Sequence, residues 1–242
     1  MDRLTRHQLK QDEFRDSLVS IEEYFKKHYK EIVSISTIVI VVVGLAVGLK
    51  VYTDRQDAAA NADLGEALTT FRAYVGQPTP GEPGPAGTTF PTAQDKYKKA
   101  LEQFNAIVDK YKMPPRPKAA EIALYQAGVC QALLGDESGA VNTLTAASQG
   151  RDQDIDAMAK FALAGELARA GKTDQAVKLY QDLADHPTIT VPRASALLGM
   201  AGAFRATKPD RARQIYEQVQ KEFASDSTIS EAVKQEIASL NP

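Results

Sequence analysis

Hydrophobic and polar positions divide the chain into one unbroken apolar run and a long remainder of regular pattern. Ile32 to Leu49 reads IVSISTIVIVVVGLAVGL, eighteen residues without a charge, closed by Glu31 and Lys50. With Val51 and Tyr52 added, a helix here covers about 30 Å, the thickness of a bilayer's hydrocarbon core. Ser34, Ser36 and Thr37 are its only polar side chains, and each can return its hydroxyl bond to the helix backbone. A core helix of a soluble domain keeps a polar face, and this segment has none. The pattern predicts a transmembrane helix over 32–52, with a tail at 1–31 and an exported domain at 53–242. A cleaved signal peptide fits less well. The leader and the run are both too long, and the first A-x-A, Ala60-Asn61-Ala62, lies far past Lys50. A strand hairpin lacks a turn residue in the middle of the run.

In the tail, Leu18, Ile21, Phe25, Tyr29 and Ile32 recur at helical spacing, with Lys26, Lys27 and Lys30 at the membrane end. That is an amphipathic basic segment, and its lysines serve mainly to set orientation. The tail carries seven Lys/Arg, whereas Lys50 and Arg55 alone follow the run closely. The positive-inside rule puts the N-terminus in the cytoplasm and the large C-terminal part across the membrane. Within the span, Gly44 and Gly48 form a G-x-x-x-G, a flat patch where another helix could approach.

Beyond the span the period is helical. Leu64, Ala67, Leu68, Phe71 and Val75 predict a helix over 51–75. Five prolines and four glycines in 76–92 predict a connector without helix or sheet ladder. No P-x-x-P with a flanking basic residue marks it as a ligand for a partner's groove. Tyr97, Ala100, Leu101, Phe104, Ile107, Val108 and Tyr111 then mark the next helix, which ends at Met113-Pro114-Pro115-Arg116-Pro117.

The following hundred residues repeat. Gly135-Asp136-Glu137-Ser138-Gly139-Ala140, Gly171-Lys172-Thr173-Asp174-Gln175-Ala176 and Thr207-Lys208-Pro209-Asp210-Arg211-Ala212 stand 36 residues apart. Each follows an Ala/Leu-rich helix and opens a second one. Ala127-Gly128, Leu163-Ala164 and Gly199-Met200 are mid-helix positions where small residues let two helices approach. Leu144, Tyr180 and Tyr216 are bulky residues that fill the groove between neighbouring units. Gly135 and Gly171 suit left-handed helix ends. Asp136, Thr173 and Asp210 are candidates to accept backbone N–H groups in the turns or at the next helix starts. Thr228 to Leu240 predicts a closing helix, with Ser230 and Glu231 as its cap and Ile229, Val233, Ile237 and Leu240 inward.

These units resemble the tetratricopeptide repeat, a helix–turn–helix of about 34 residues. On that resemblance the packing positions are Gly128, Ala140 and Leu144, then Ala164, Ala176 and Tyr180, then Met200, Ala212 and Tyr216. The fold class expected is therefore all-α: one transmembrane helix followed by a tetratricopeptide-like helical-hairpin solenoid. Ala100 and Phe104 read as the second helix of an earlier unit. Tyr125, Gln126, Cys130, Glu166, Arg169 and Arg205 are candidates for the concave face, which first-helix residues line.

Composition and charge narrow the chemistry. The net charge is −2, and the residues after the span carry 21 Lys/Arg against 24 Asp/Glu, mixed along the chain. Nucleic acid, which needs a concentrated basic face, is not an expected partner. One cysteine, Cys130, allows no intrachain disulfide, and within LYQAGVCQALLG it reads as a buried small hydrophobe. No P-loop, H-E-x-x-H or G-x-S-x-G occurs, and His7, His28 and His186 are scattered. No catalytic residue, cofactor or metal is expected.

The layout as a whole is similar to the YfgM-type ancillary subunits of the SecYEG translocon. The features that carry it are SIEEYFKKHYKE, the single span, VYTDRQDAAANADLGEAL and the repeats. The resemblance implies a bacterial inner-membrane protein with a periplasmic repeat domain. Its partners would be translocon subunits, a membrane-anchored periplasmic chaperone of the prolyl-isomerase type, and exported clients. A repeat adaptor of another envelope complex, in cytochrome maturation, cell-wall synthesis or outer-membrane assembly, is the alternative. An enzyme or enzyme subunit would need a pocket with convergent polar groups.

Overall fold

The structure, a computed structural model, describes residues 3–76, 89–114 and 116–240, with side chains from residue 26 onward. The chain divides into two compact units, Met1–Arg55 and Gln56–Pro242. Helix α1 spans Arg3–Phe71.

Among the described residues of the first unit nothing covers the apolar run. None of its most apolar window is buried, and Ile38, Ile40 and Leu45 are 62%, 70% and 69% exposed. It is a helix long and apolar enough to cross a membrane. Its few hydroxyls are bonded to the helix itself. Ser34 Oγ donates to the Glu31 carbonyl at 2.9 Å, and Thr37 Oγ1 to that of Val33 at 2.8 Å. A Cβ added at Gly44 or Gly48 would meet open space. Of the amphipathic stripe, Leu18, Ile21 and Phe25 lie outside the residues whose side chains are described, while Tyr29 is exposed and Ile32 half-buried.

The second unit opens with a hairpin. The last turns of α1 bury Ala60, Leu64 and Ala67 against Ala100, Phe104 and Ile107 of α2 (Ala93–Lys110). Phe71 packs on the rings of Tyr97 and Phe104, with centroids 5.6 and 6.3 Å apart. Asp63 accepts from Lys110 Nζ and the Tyr111 hydroxyl, each at 2.8 Å, so the two helices are tied by charge as well as packing. The helix ends at Phe71, short of Val75. Tyr74–Val75 (β1) pairs in parallel with Thr89–Phe90 (β2), and the Gly76 N–H donates to the Phe90 carbonyl at 3.0 Å. The expectation of no sheet ladder in 76–92 fails here because Thr89 and Phe90 are not prolines and keep their donors. Residues 77–88 lie outside the described chain.

Three further hairpins follow: α3 (Lys118–Leu133) with α4 (Glu137–Ala147), α5 (Gln153–Arg169) with α6 (Thr173–Asp185), and α7 (Arg193–Phe204) with α8 (Pro209–Glu222). Helix α9 (Ser227–Ser239) closes the stack on α8. Each second helix also packs on the first helix of the next hairpin. The first helices touch one another in turn, α3 with α5 and α5 with α7, forming one layer. This is a tetratricopeptide-like solenoid.

Two of the turns share one solution. At Gly135 the chain takes φ +80°, the Gly135 N–H donates to the Ala132 carbonyl, and the Asp136 N–H donates to that of Gln131. Gly171, at φ +73°, repeats both bonds one unit later, to Ala168 and from Lys172 to Leu167. This is the left-handed helix end that a Cβ would strain. The third turn has no such residue. Thr207 and Lys208 both donate to the Phe204 carbonyl, and Pro209 then opens α8.

The caps correct several expectations. Asp136 caps α4 by accepting from the Gly139 N–H at 3.0 Å. Thr173 does not cap α6, because the glycine turn makes Lys172 the boundary residue and Thr173 the first helical one. Asp210 does not cap α8 either. Pro209 starts that helix, and Asp210 lies within its first turn. The cap of α9 is Asp226, which accepts from Thr228 and Ile229 N–H, and not Ser230. Behind it Val233 is fully buried, and Ile229, Ile237 and Leu240 pack around it.

Candidate functional site

The repeat core is built on small residues. Ala140, Ala164, Ala176 and Ala212 are wholly buried, as is Leu144, and Tyr180 and Tyr216 are nearly so. At Gly128 an added Cβ would lie 2.7 Å from Leu144 Cγ, so α3 and α4 cross where the glycine has no side chain. In the third hairpin Met200 is buried instead, and the tight approach shifts to its neighbour. A Cβ on Gly199 would lie 2.5 Å from the ring of Tyr180, which belongs to the preceding unit. Tyr180 thus fills the space between α5 and α7. Its ring meets that of Phe161 edge-on, with centroids 5.3 Å apart.

Above this floor the first-helix layer opens into a groove of about 350 Å³. Tyr125, Val129 and Leu133, spaced at four, put one stripe of α3 along it. Phe161, Gly165, Glu166 and Arg169 line it from α5. Leu133 is 50% exposed, an apolar side chain that the fold leaves partly open to solvent. Glu166 is 5% exposed, the one buried charged residue among those described, and Arg169 at the rim donates to it. The Glu166–Arg169 pair therefore sits at the end of an otherwise apolar trough. Burial pushes the hydroxyls of Tyr125 and Tyr180 above their ordinary pKa, so both stay neutral donors.

Of the residues expected on the concave face, Tyr125, Glu166 and Arg169 come together here. Gln126 is half-buried and does not line the groove. Cys130 is wholly buried in the core that α1, α2 and α3 form together, where burial pushes its thiol up to about 12. A thiol held protonated is a packing group rather than a nucleophile. Arg205 faces the end of the stack, where it donates to Glu236 and to Ser239 Oγ, each at 3.0 Å, and fastens α9. The sequence does not mark Val129, Leu133 and Phe161 as groove residues, because an apolar residue on a first helix reads as core. The four-residue spacing that joins Tyr125, Val129 and Leu133 was the available signal.

Residues 195–226, covering most of α7 and all of α8, match the family model of the tetratricopeptide repeat. The match falls on the unit in which Met200 replaces the usual small residue. No curated protein matches the chain. Fold and match together define a tetratricopeptide-like helical-repeat protein, an architecture typical of non-enzymatic scaffolds that bind other proteins.

Proposed function

We propose that this protein is a membrane-anchored, non-enzymatic adaptor that holds a partner protein in the groove between α3 and α5. The observation that carries the reading is the groove itself: half-exposed aromatic and aliphatic side chains over a closed floor, with an ion pair at one end. Apolar contacts supply affinity there, and Arg169 and Glu166 supply orientation. The run at 32–52 anchors the chain, and the basic tail supports a cytoplasmic N-terminus with the repeat domain on the far side. Gly44 and Gly48 offer a contact to a membrane helix of the assembly. The resemblance to YfgM-type subunits supports a finer reading. On it the protein sits in a bacterial inner membrane beside the export translocon and passes newly exported proteins to a periplasmic prolyl-isomerase-type chaperone.

The test is gentle detergent extraction of the tagged full-length protein from its native membrane, with identification of what is bound. Translocon subunits and a periplasmic chaperone are expected, with the chaperone lost in F161R, which puts a charge into the groove. If another envelope complex is recovered without translocon subunits, the finer reading is wrong. If F161R keeps every partner, the groove is not the contact.

A further inference from the structure

A second recess lies away from the groove, between the α2–α3 loop and the α4–α5 loop. It is a cleft of about 330 Å³. Lys112 and Arg116 enter it from the first loop and Arg151 from the second, while Glu121, Leu124 and Pro114 complete the wall. Four other arginines of the repeat domain are engaged. Arg169 is held by Glu166, Arg193 by Glu222 and the Ala184 carbonyl, Arg205 by Glu236, and Arg211 by Gln214. Lys112, Arg116 and Arg151 have no carboxylate partner among the described residues. Arg116 is half-buried, and its Nε is buried with no acceptor.

An unmet buried donor and gathered like charges both cost free energy that a bound anion would offset. We propose that this cleft binds the carboxylate side chains of an acidic segment in a partner protein. Two guanidinium forks match carboxylates in geometry. Leu124 and Pro114 give the methylene stem of a glutamate an apolar wall, which a bare phosphate would not use. Glu121 opposes a dianion more strongly than a single carboxylate. The recess also differs from the open basic surface that binds a charged bilayer. The site goes beyond the groove reading and does not depend on it, since F161R leaves the cleft intact.

The test is fluorescence anisotropy on the full-length protein in detergent micelles. The probe is a labelled peptide of alternating glutamate and alanine, with a glutamine-for-glutamate counterpart as reference. The glutamate peptide is expected to bind and to weaken with salt, and the glutamine peptide is not. R116Q/R151Q should weaken binding roughly tenfold or more. R151Q alone, at an exposed position that cannot unfold the domain, should weaken it several-fold, and K178Q on exposed α6 surface should leave it unchanged. Equal binding of the two peptides, or wild-type binding by both arginine variants, would overturn the site. Displacement by inorganic phosphate beyond the effect of chloride at the same ionic strength would assign the cleft to a phosphate group instead. So would binding to phosphatidylglycerol vesicles that R116Q/R151Q abolishes while no peptide binds.

Discussion

The most hydrophobic stretch of this protein buries almost nothing, while its alanine-rich helices hide their small residues where helices cross. From Val33 to Val47, valine and isoleucine side chains stand 45–70% exposed. In the repeats, Ala120, Ala123, Ala127, Ala140, Ala164, Ala176, Ala201 and Ala212 have essentially no exposed surface. Side-chain hydrophobicity does not decide burial within a chain. The presence of a partner surface at the right distance does, and small residues create one by letting backbones approach. A run apolar on every face and left bare by the described residues of its own unit is of the kind that finds its partner surface in lipid or in another protein.

The sharpest way to break this comparison is to charge the bare helix. I40R/V42R places two arginines near the middle of the span, each costing roughly 2.5–3.5 kcal/mol on insertion. The variant is expected to shift from the carbonate-resistant membrane fraction to the soluble fraction, with the helical melt of the repeat domain unchanged. If it stays in the membrane, the run is not the anchor.

A smaller effect separates glycines of the two regions. G128A would bring a methyl into Leu144, and G199A would bring one into the Tyr180 ring. Each is expected to lower stability by about 1–3 kcal/mol through overpacking, less what alanine returns in helix propensity. G65A, on an exposed turn of α1 with open space around it, should stabilise by up to about 1 kcal/mol. G44A and G48A should leave the repeat domain's melt unchanged. Thermal melts of the five variants in one detergent decide this, and a loss of stability in G65A to match G199A would erase the distinction.

Much of this was legible in the sequence, for identifiable reasons. The 36-residue recurrence exposed the hairpins because Gly135 and Gly171 must sit at one place in the turn, where φ is positive. The apolar run needed only length and the absence of charge. What stayed hidden depended on neighbours distant in sequence. Arg205 stands at a first-helix position that suggests the concave face, but its acceptors stand on α9, about thirty residues on. Met200 stands where the repeat expects a small residue, and the sequence does not show that its neighbour Gly199 makes the close approach instead, because the side chain it meets is a tyrosine of a different unit. The parallel pairing of β1 with β2 joins residues across the Pro/Gly stretch, and no local pattern announces it.

The smallest expected effect is one of pH, and it should touch the repeats alone. The hydrogen bond from Lys110, aided by that of Tyr111, holds the Asp63 carboxyl below its ordinary 3.8, against a smaller opposing effect of burial. Asp152 is lowered in the same direction, chiefly by Lys118 and then by the backbone N–H groups it caps at the start of α5. A carboxyl whose folded pKa is depressed adds stability that is complete above its unfolded pKa and is lost as pH falls through the folded value. Both ties should therefore hold undiminished at neutral pH and fade below about 4. The lysine of each tie is exposed and the carboxylate partly so, and each contributes little, as surface pairs do. The repeat domain's melting temperature is expected to fall on acidification below that range, with D63N/D152N lower at neutral pH and less sensitive to acid. Lys110 and Lys118 are raised above their ordinary 10.5 by the same bonds, so the complementary loss comes only at strongly alkaline pH. Ile32 to Leu49 contains no titratable side chain, so carbonate-resistant anchoring should not change between neutral and acidic washes. An acid melt that released the anchor along with the repeats would mean that the two regions are held by common contacts, and the contrast between them would fail.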